Sequence, residues 1–229
     1  MTKLDRVIHK TLFDCLHINQ KDSLLILADE FSLKLGRSFF EKALKINKSS
    51  LLLETAPFKK QNSESSPTIL KIVKQVSAVI VLSSNPLIYP KLIKHICHNG
   101  SRVVFVNPEP VESLERAVNV DYEFLQEKGR RIADLFSIGK EVKLTSEAGT
   151  NVTFKIGRHK GSRSTGVVKE AGCYGFLPAG EASITPDKNS SNGVAVIDAS
   201  IPQLGLVEQP FEVQIKKGIA SHISGNGLV

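Results

Sequence analysis

The chain has 229 residues, 41% of them hydrophobic and 23% charged, and carries a formal net charge of +7. That length and balance describe a globular chain able to bury a sizeable core without disulfide staples, and they exclude disordered and fibrous classes. The positive charge is dispersed: its densest points are Lys59-Lys60, Lys216-Lys217 and Arg158-His159-Lys160. With no Trp and three Tyr, no stacking platform for single-stranded nucleic acid is evident, so no nucleic-acid partner is expected. No apolar stretch approaches the ~18 residues of a membrane span, and the N-terminus lacks the apolar core of a signal peptide. Cys15, Cys97 and Cys173 are odd in number and far apart. They suggest neither a disulfide framework nor a thiolate zinc site, and a reducing cytoplasm is the expected compartment.

Residues 2–18 place Leu4, Val7, Ile8, Leu12, Cys15 and Leu16 at helical spacing, which predicts an amphipathic opening helix. The run Ser23–Ala28 is continuously apolar and ends in Asp29-Glu30, the pattern of a parallel strand covered on both faces. Residues 32–46 return to helical spacing, Ser50–Glu54 reads as a second strand, and Pro67 opens a short helix. Val76–Leu82 is the third strand, closing on Ser83-Ser84-Asn85-Pro86. A helix from about Leu87 to His98 stops at Asn99-Gly100, and Arg102–Val106 is the fourth strand. Strand–helix alternation at this spacing predicts a doubly wound, mostly parallel α/β sheet.

Helical patterns follow Pro110 to about Ile138. Glu141–Thr145 and Asn151–Ile156 then alternate polar with apolar around Glu147-Ala148-Gly149-Thr150, the pattern of a hairpin. Further β segments are read at Gly193–Ala199 and Phe211–Ile215. A boundary near Gly139 is therefore expected, dividing an α/β domain over 1–139 from a partial β-rich domain over 140–229.

Fingerprints of dinucleotide or Walker-type phosphate binding are absent. Asp29-Glu30 and Ser83-Ser84-Asn85 stand at strand ends, where ligands of open α/β sheets gather, although caps for the following helices explain them more simply. His95 and His98, flanking Cys97 on a helix, have a chelating spacing but no carboxylate partner nearby, and suit a helix C-terminus equally. His159 and His222 sit in turn-rich sequence and are expected at the surface. The most informative stretch is Gly175-Phe176-Leu177-Pro178-Ala179-Gly180-Glu181. A carboxylate on so constrained a turn is a credible metal ligand, and a structural turn Glu has the same appearance.

Residues 176–186, Phe-Leu-Pro-Ala-Gly-Glu-Ala-Ser-Ile-Thr-Pro, together with Asn192-Gly193 and the strand ending in Asp198, resemble a segment of the thermophilic-type leucyl aminopeptidases of the aminopeptidase T and S group. Leu24–Glu30, Asn99–Val103 and Gly149–Phe154 resemble earlier pieces of that family in the same order. The resemblance implies a metal-dependent aminopeptidase, a hydrolase acting on small peptides, with a zinc or cobalt centre, a homodimeric state and Glu181 as one metal ligand. It also implies that Gly175 replaces the family's usual Asn. The family's later ligand segments, E-K-x-x-G-T-x-H-x-x-x-G and H-x-D, have no match here, so a C-terminally truncated member is expected. Two alternatives stand beside it: a short, catalytically inactive homologue acting as a binding module, and the related branch that opens aromatic rings with a single iron.

Overall fold

A computed structural model describes residues 2–55, 66–83, 90–108, 110–201 and 204–225. Lys59-Lys60, Ser84-Asn85-Pro86, the helix start expected at Leu87 and the terminal residues 226–229 lie outside the described residues. The chain divides into two compact units, one of Met1–Gly129 with Ser164–Glu181 and one of Arg130–Arg163 with Ala182–Val229.

The first unit is the expected parallel sheet. Its strands are β1 (Leu24–Asp29), β2 (Ser50–Thr55), β3 (Ala78–Leu82), β4 (Arg102–Val106) and β8 (Tyr174–Leu177), in the order β2-β1-β3-β4-β8 and parallel throughout. Every residue of β1 and β3 is buried, which is why their hydrophobicity is continuous rather than alternating. One sheet face, with Leu24, Ile26, Ile80 and Val104, packs against Val7, Leu12 and Phe39 of the helices on that side. The opposite face, with Leu25, Val79, Val103 and Phe105, packs against Val73, Leu92 and Ile96.

The helices are α1 (Lys3–His9), α2 (Leu33–Leu44), α3 (Pro67–Val73), α4 (Pro90–His98), α5 (Val111–Ala117) and α6 (Tyr122–Ile138). α1 opens with a capping box between Thr2 and Asp5 and runs into a π-helical turn over Lys10–Cys15. Ser66 caps α3, and Pro67 sits in its first turn as its missing N–H allows.

The second unit is an antiparallel sheet, β14-β13-β10-β6-β5. It is built from β5 (Glu141–Thr145), β6 (Asn151–Lys155), β10 (Asn192–Ile197), β13 (Phe211–Lys216) and β14 (Ile219–Ser224). The hairpin β5–β6 turns at Ser146–Thr150 with Gly149 at φ +109°. Short strands β7 (Ser162–Ser164) with β9 (Glu181–Ser183), and β11 (Ser200–Ile201) with β12 (Gly205–Leu206), form two small ribbons. Register places Val142, Leu144, Phe154, Val213 and Ile223 on one sheet face, where Leu144 and Ile223 remain 54% and 47% exposed.

The sequence reading expected one crossing, near Gly139. In the structure residues 164–181, inside the expected β-rich span, belong to the parallel-sheet unit. The reason is that Tyr174–Leu177 pairs with Val103–Val106, a contact far apart in sequence that local periodicity does not encode.

Candidate functional site

Parallel strands bring their carboxyl ends to one edge of the sheet, and that edge collects Asp29, Ser83, Asn107 and the Pro178–Glu181 turn. The order β2-β1-β3 means that successive connections diverge from β1, so a switch point lies between β1 and β3, the usual ligand position in such folds. There the Asp29 carboxylate is buried and committed. Its Oδ1 accepts from the Ser32 backbone N–H at 3.0 Å and from Ser32 Oγ at 2.7 Å. Ser32 Oγ also lies 3.1 Å from the Leu82 carbonyl, to which it can donate across to β3. Asp29 thus locks the turn ahead of α2 instead of facing a ligand. Glu30 is exposed.

At the sheet edge β8 delivers Glu181. Leu177 O accepts from Asn107 N at 2.9 Å, the Leu177–Pro178 peptide is cis, and Gly180 N donates to Ser164 O at 3.0 Å. Gly180 adopts φ +125°, a conformation that favours glycine. Phe176 anchors the strand against Phe105 with ring centroids 5.4 Å apart. Gly175 is fixed by space: a Cβ there would lie 2.8 Å from Val168 Cγ2, so the Asn of the aminopeptidase motif has no room. The Glu181 carboxylate is exposed and has no hydrogen-bond or ion-pair partner among the described residues.

His95 and His98 are exposed at the end of α4, and His159 and His222 are exposed in the second unit. None joins Glu181: among the described residues no group of three or more His, Cys, Asp or Glu side chains is placed to hold a metal ion. The described residues therefore do not fit a complete metal centre by themselves.

Two features went unread in the sequence. Ser32 carries the turn at the switch point, and its signal is the Asp-x-x-Ser spacing. A second concavity, of roughly 530 Å³, is lined by Lys10, Phe13, His17, Tyr122, Gln126 and Lys169. His17 holds φ +51° there, and burial followed by the charges of Lys169 and Arg102 pushes its imidazole below the ordinary value. No local pattern marks this groove, because its walls come from three separated stretches.

A sequence model of NicX, 2,5-dihydroxypyridine 5,6-dioxygenase, matches residues 18–228. Among solved structures, the 2,5-dihydroxypyridine dioxygenase from Pseudomonas putida KT2440 superposes with a TM-score of 0.79 at 16% identity, over 99% of this chain and 69% of that one. AmpT from Thermus thermophilus superposes with a TM-score of 0.62 at 14% identity, over 98% and 71%. No curated protein sequence matches. The likeness to AmpT shows a shared fold, and the family match overturns the expectation of an aminopeptidase, metallopeptidase or hydrolase. The preference for zinc or cobalt falls with it. No helix among the described residues is long and apolar enough to cross a membrane. By the match over residues 18–228, the chain belongs to the NicX, 2,5-dihydroxypyridine 5,6-dioxygenase, family.

Proposed function

We propose that this chain serves an iron-dependent, ring-opening oxygenation of a dihydroxypyridine or a similarly hydroxylated nitrogen heteroaromatic, with Glu181 as one carboxylate directed to the metal. The observation that carries the reading is the continuity of the family match, which runs from residue 18 to 228 and so takes in both units. A carboxylate oxygen is a ligand suited to iron(II). The bound iron would supply the oxygen chemistry. This chain's part is positional: the Asn107–Leu177 bond, the Phe105–Phe176 contact and the Gly180–Ser164 bond fix the backbone on which Glu181 stands. Glu181 is proposed as one ligand alone: among the described residues no group of three or more His, Cys, Asp or Glu is placed to hold a metal ion.

The test is oxygen uptake by the purified chain with iron(II) and 2,5-dihydroxypyridine. Uptake that needs both is expected, and Glu181→Gln is expected to weaken iron binding by about tenfold or more, the scale on which even outer-sphere partners act. Absence of both substrate binding and oxygen uptake at full iron loading would overturn the reading. A second reading is a binding module without turnover; among the described residues no group of three or more His, Cys, Asp or Glu is placed to hold a metal ion. This reading expects calorimetric binding of the dihydroxypyridine with no oxygen consumed.

A further inference from the structure

Cys97 and Cys173 are distant in sequence and neighbours in the fold. Cys97 is half-buried in the last turn of α4, and Cys173 is exposed immediately before β8. α4 turns tightly into β4, with Gly100 N donating to Cys97 O at 2.9 Å and Ser101 N to Ile96 O at 3.2 Å. β8 enters beside it, Val103 N donating to Cys173 O at 3.1 Å. Gly172 measures how closely the two segments meet. An ideal Cβ built on it would lie 3.0 Å from the Cys97 carbonyl oxygen, and its φ of +77° is one that glycine tolerates. The backbone beside Cys173 therefore rests on the backbone of Cys97. A disulfide needs Cα atoms about 4–7 Å apart, and Cys173 is the next residue along from this backbone contact.

The Cys173 thiol also acts on that of Cys97. The Cys97 thiol is pushed above its ordinary value, first by burial and then by the charge of Cys173. Cys173 is the exposed partner, and access to solvent makes it the first to meet an oxidant. Cys15 is fully buried, its thiol pushed up to about 12 chiefly by burial, and provides an internal control.

We propose that Cys97 and Cys173 form a reversible intramolecular disulfide in response to peroxide, a thiol switch at the entry to the strand that leads to Glu181. The Cys173 sulfur attacks a peroxide oxygen, the O–O bond breaks, and a sulfenic acid and one water result. The Cys97 sulfur then attacks the sulfenic sulfur and expels a second water. Overall two thiols lose two electrons and two protons, and hydrogen peroxide becomes two waters. A thiol reductant restores both cysteines, as redox-sensing disulfides of reducing compartments require.

The test treats the full chain with hydrogen peroxide, blocks free thiols with N-ethylmaleimide and maps peptides by mass spectrometry. A linked peptide pair containing Cys97 and Cys173, lighter by two hydrogens and separated by dithiothreitol, is expected, with Cys15 unmodified. Cys173→Ser should abolish the link while leaving the reduced protein's thermal midpoint unchanged. The wild type should gain in midpoint on oxidation where Cys173→Ser does not. Over-oxidation of Cys173 with Cys97 still free, or a link from Cys173 to a second chain, would overturn the proposal.

Discussion

The Arg102 guanidinium at the start of β4 lies 2.6 Å from Asp22 Oδ1 in the loop before β1, and both side chains are close to nine-tenths buried. The same oxygen accepts from Ser77 Oγ at 2.7 Å, while Oδ2 accepts from Asn19. One carboxylate thus ties together the amino ends of β1, β3 and β4. Removing Arg102 leaves that carboxylate desolvated and short of its charge partner. Arg102→Ala is expected to cost about 3–5 kcal/mol, the range for breaking a buried pair from one side. Urea denaturation of the two proteins measures it, and a loss below about 1 kcal/mol would mean that Ser77 and Asn19 suffice.

Gly175 sits under Val168, where the aminopeptidase motif has Asn. Because a Cβ would approach Val168 Cγ2 to 2.8 Å, Gly175→Asn is expected to destabilise by about 1–3 kcal/mol through overpacking. Restoring the motif's residue should therefore harm the fold. A denaturant midpoint equal to wild type would show that β8 shifts freely.

Cys15 makes alkaline stability pH-dependent. Its thiol is raised to about 12 in the fold from an ordinary value of 9.0. Between those values the unfolded chain releases a proton that the folded chain keeps, so stability is lost as pH rises through that window. Cys15→Ala is expected to flatten the decline in unfolding free energy above pH 9, after a constant penalty for the lost sulfur. An identical slope in both proteins would contradict this.

His17 is expected to titrate below the ordinary imidazole value, since burial, Lys169 and Arg102 all oppose its positive form. Lys169→Glu replaces a repelling charge with an attracting one and should move the His17 midpoint upward in a proton NMR titration. A downward or absent shift would place Lys169 too far from the ring to matter.

Much of the first unit was legible. The runs at Leu24–Asp29 and Ala78–Leu82 are apolar without alternation because helices cover both faces, and the Ser66-Pro67 start of α3 follows from capping chemistry. Of the candidate site the sequence offered a single residue. Glu181 follows a constrained Pro-Ala-Gly stretch that resembles the aminopeptidase group, yet the family model that matches residues 18–228 is that of a dioxygenase. A local turn can mark descent while leaving the reaction undecided.

Hydrophobic period, caps and turn residues are local, and they alone determined the strand–helix alternation, the β5–β6 hairpin and the special character of residues 177–181. The placement of Tyr174–Leu177 in the parallel sheet, the reach of Ser32 Oγ to the Leu82 carbonyl and the approach of Gly172 to the Cys97 backbone were decided only by tertiary structure. Each depends on segments that are far apart along the chain. Such pairings are selected by the burial of a whole sheet face, a sum over many residues that no single stretch of sequence carries.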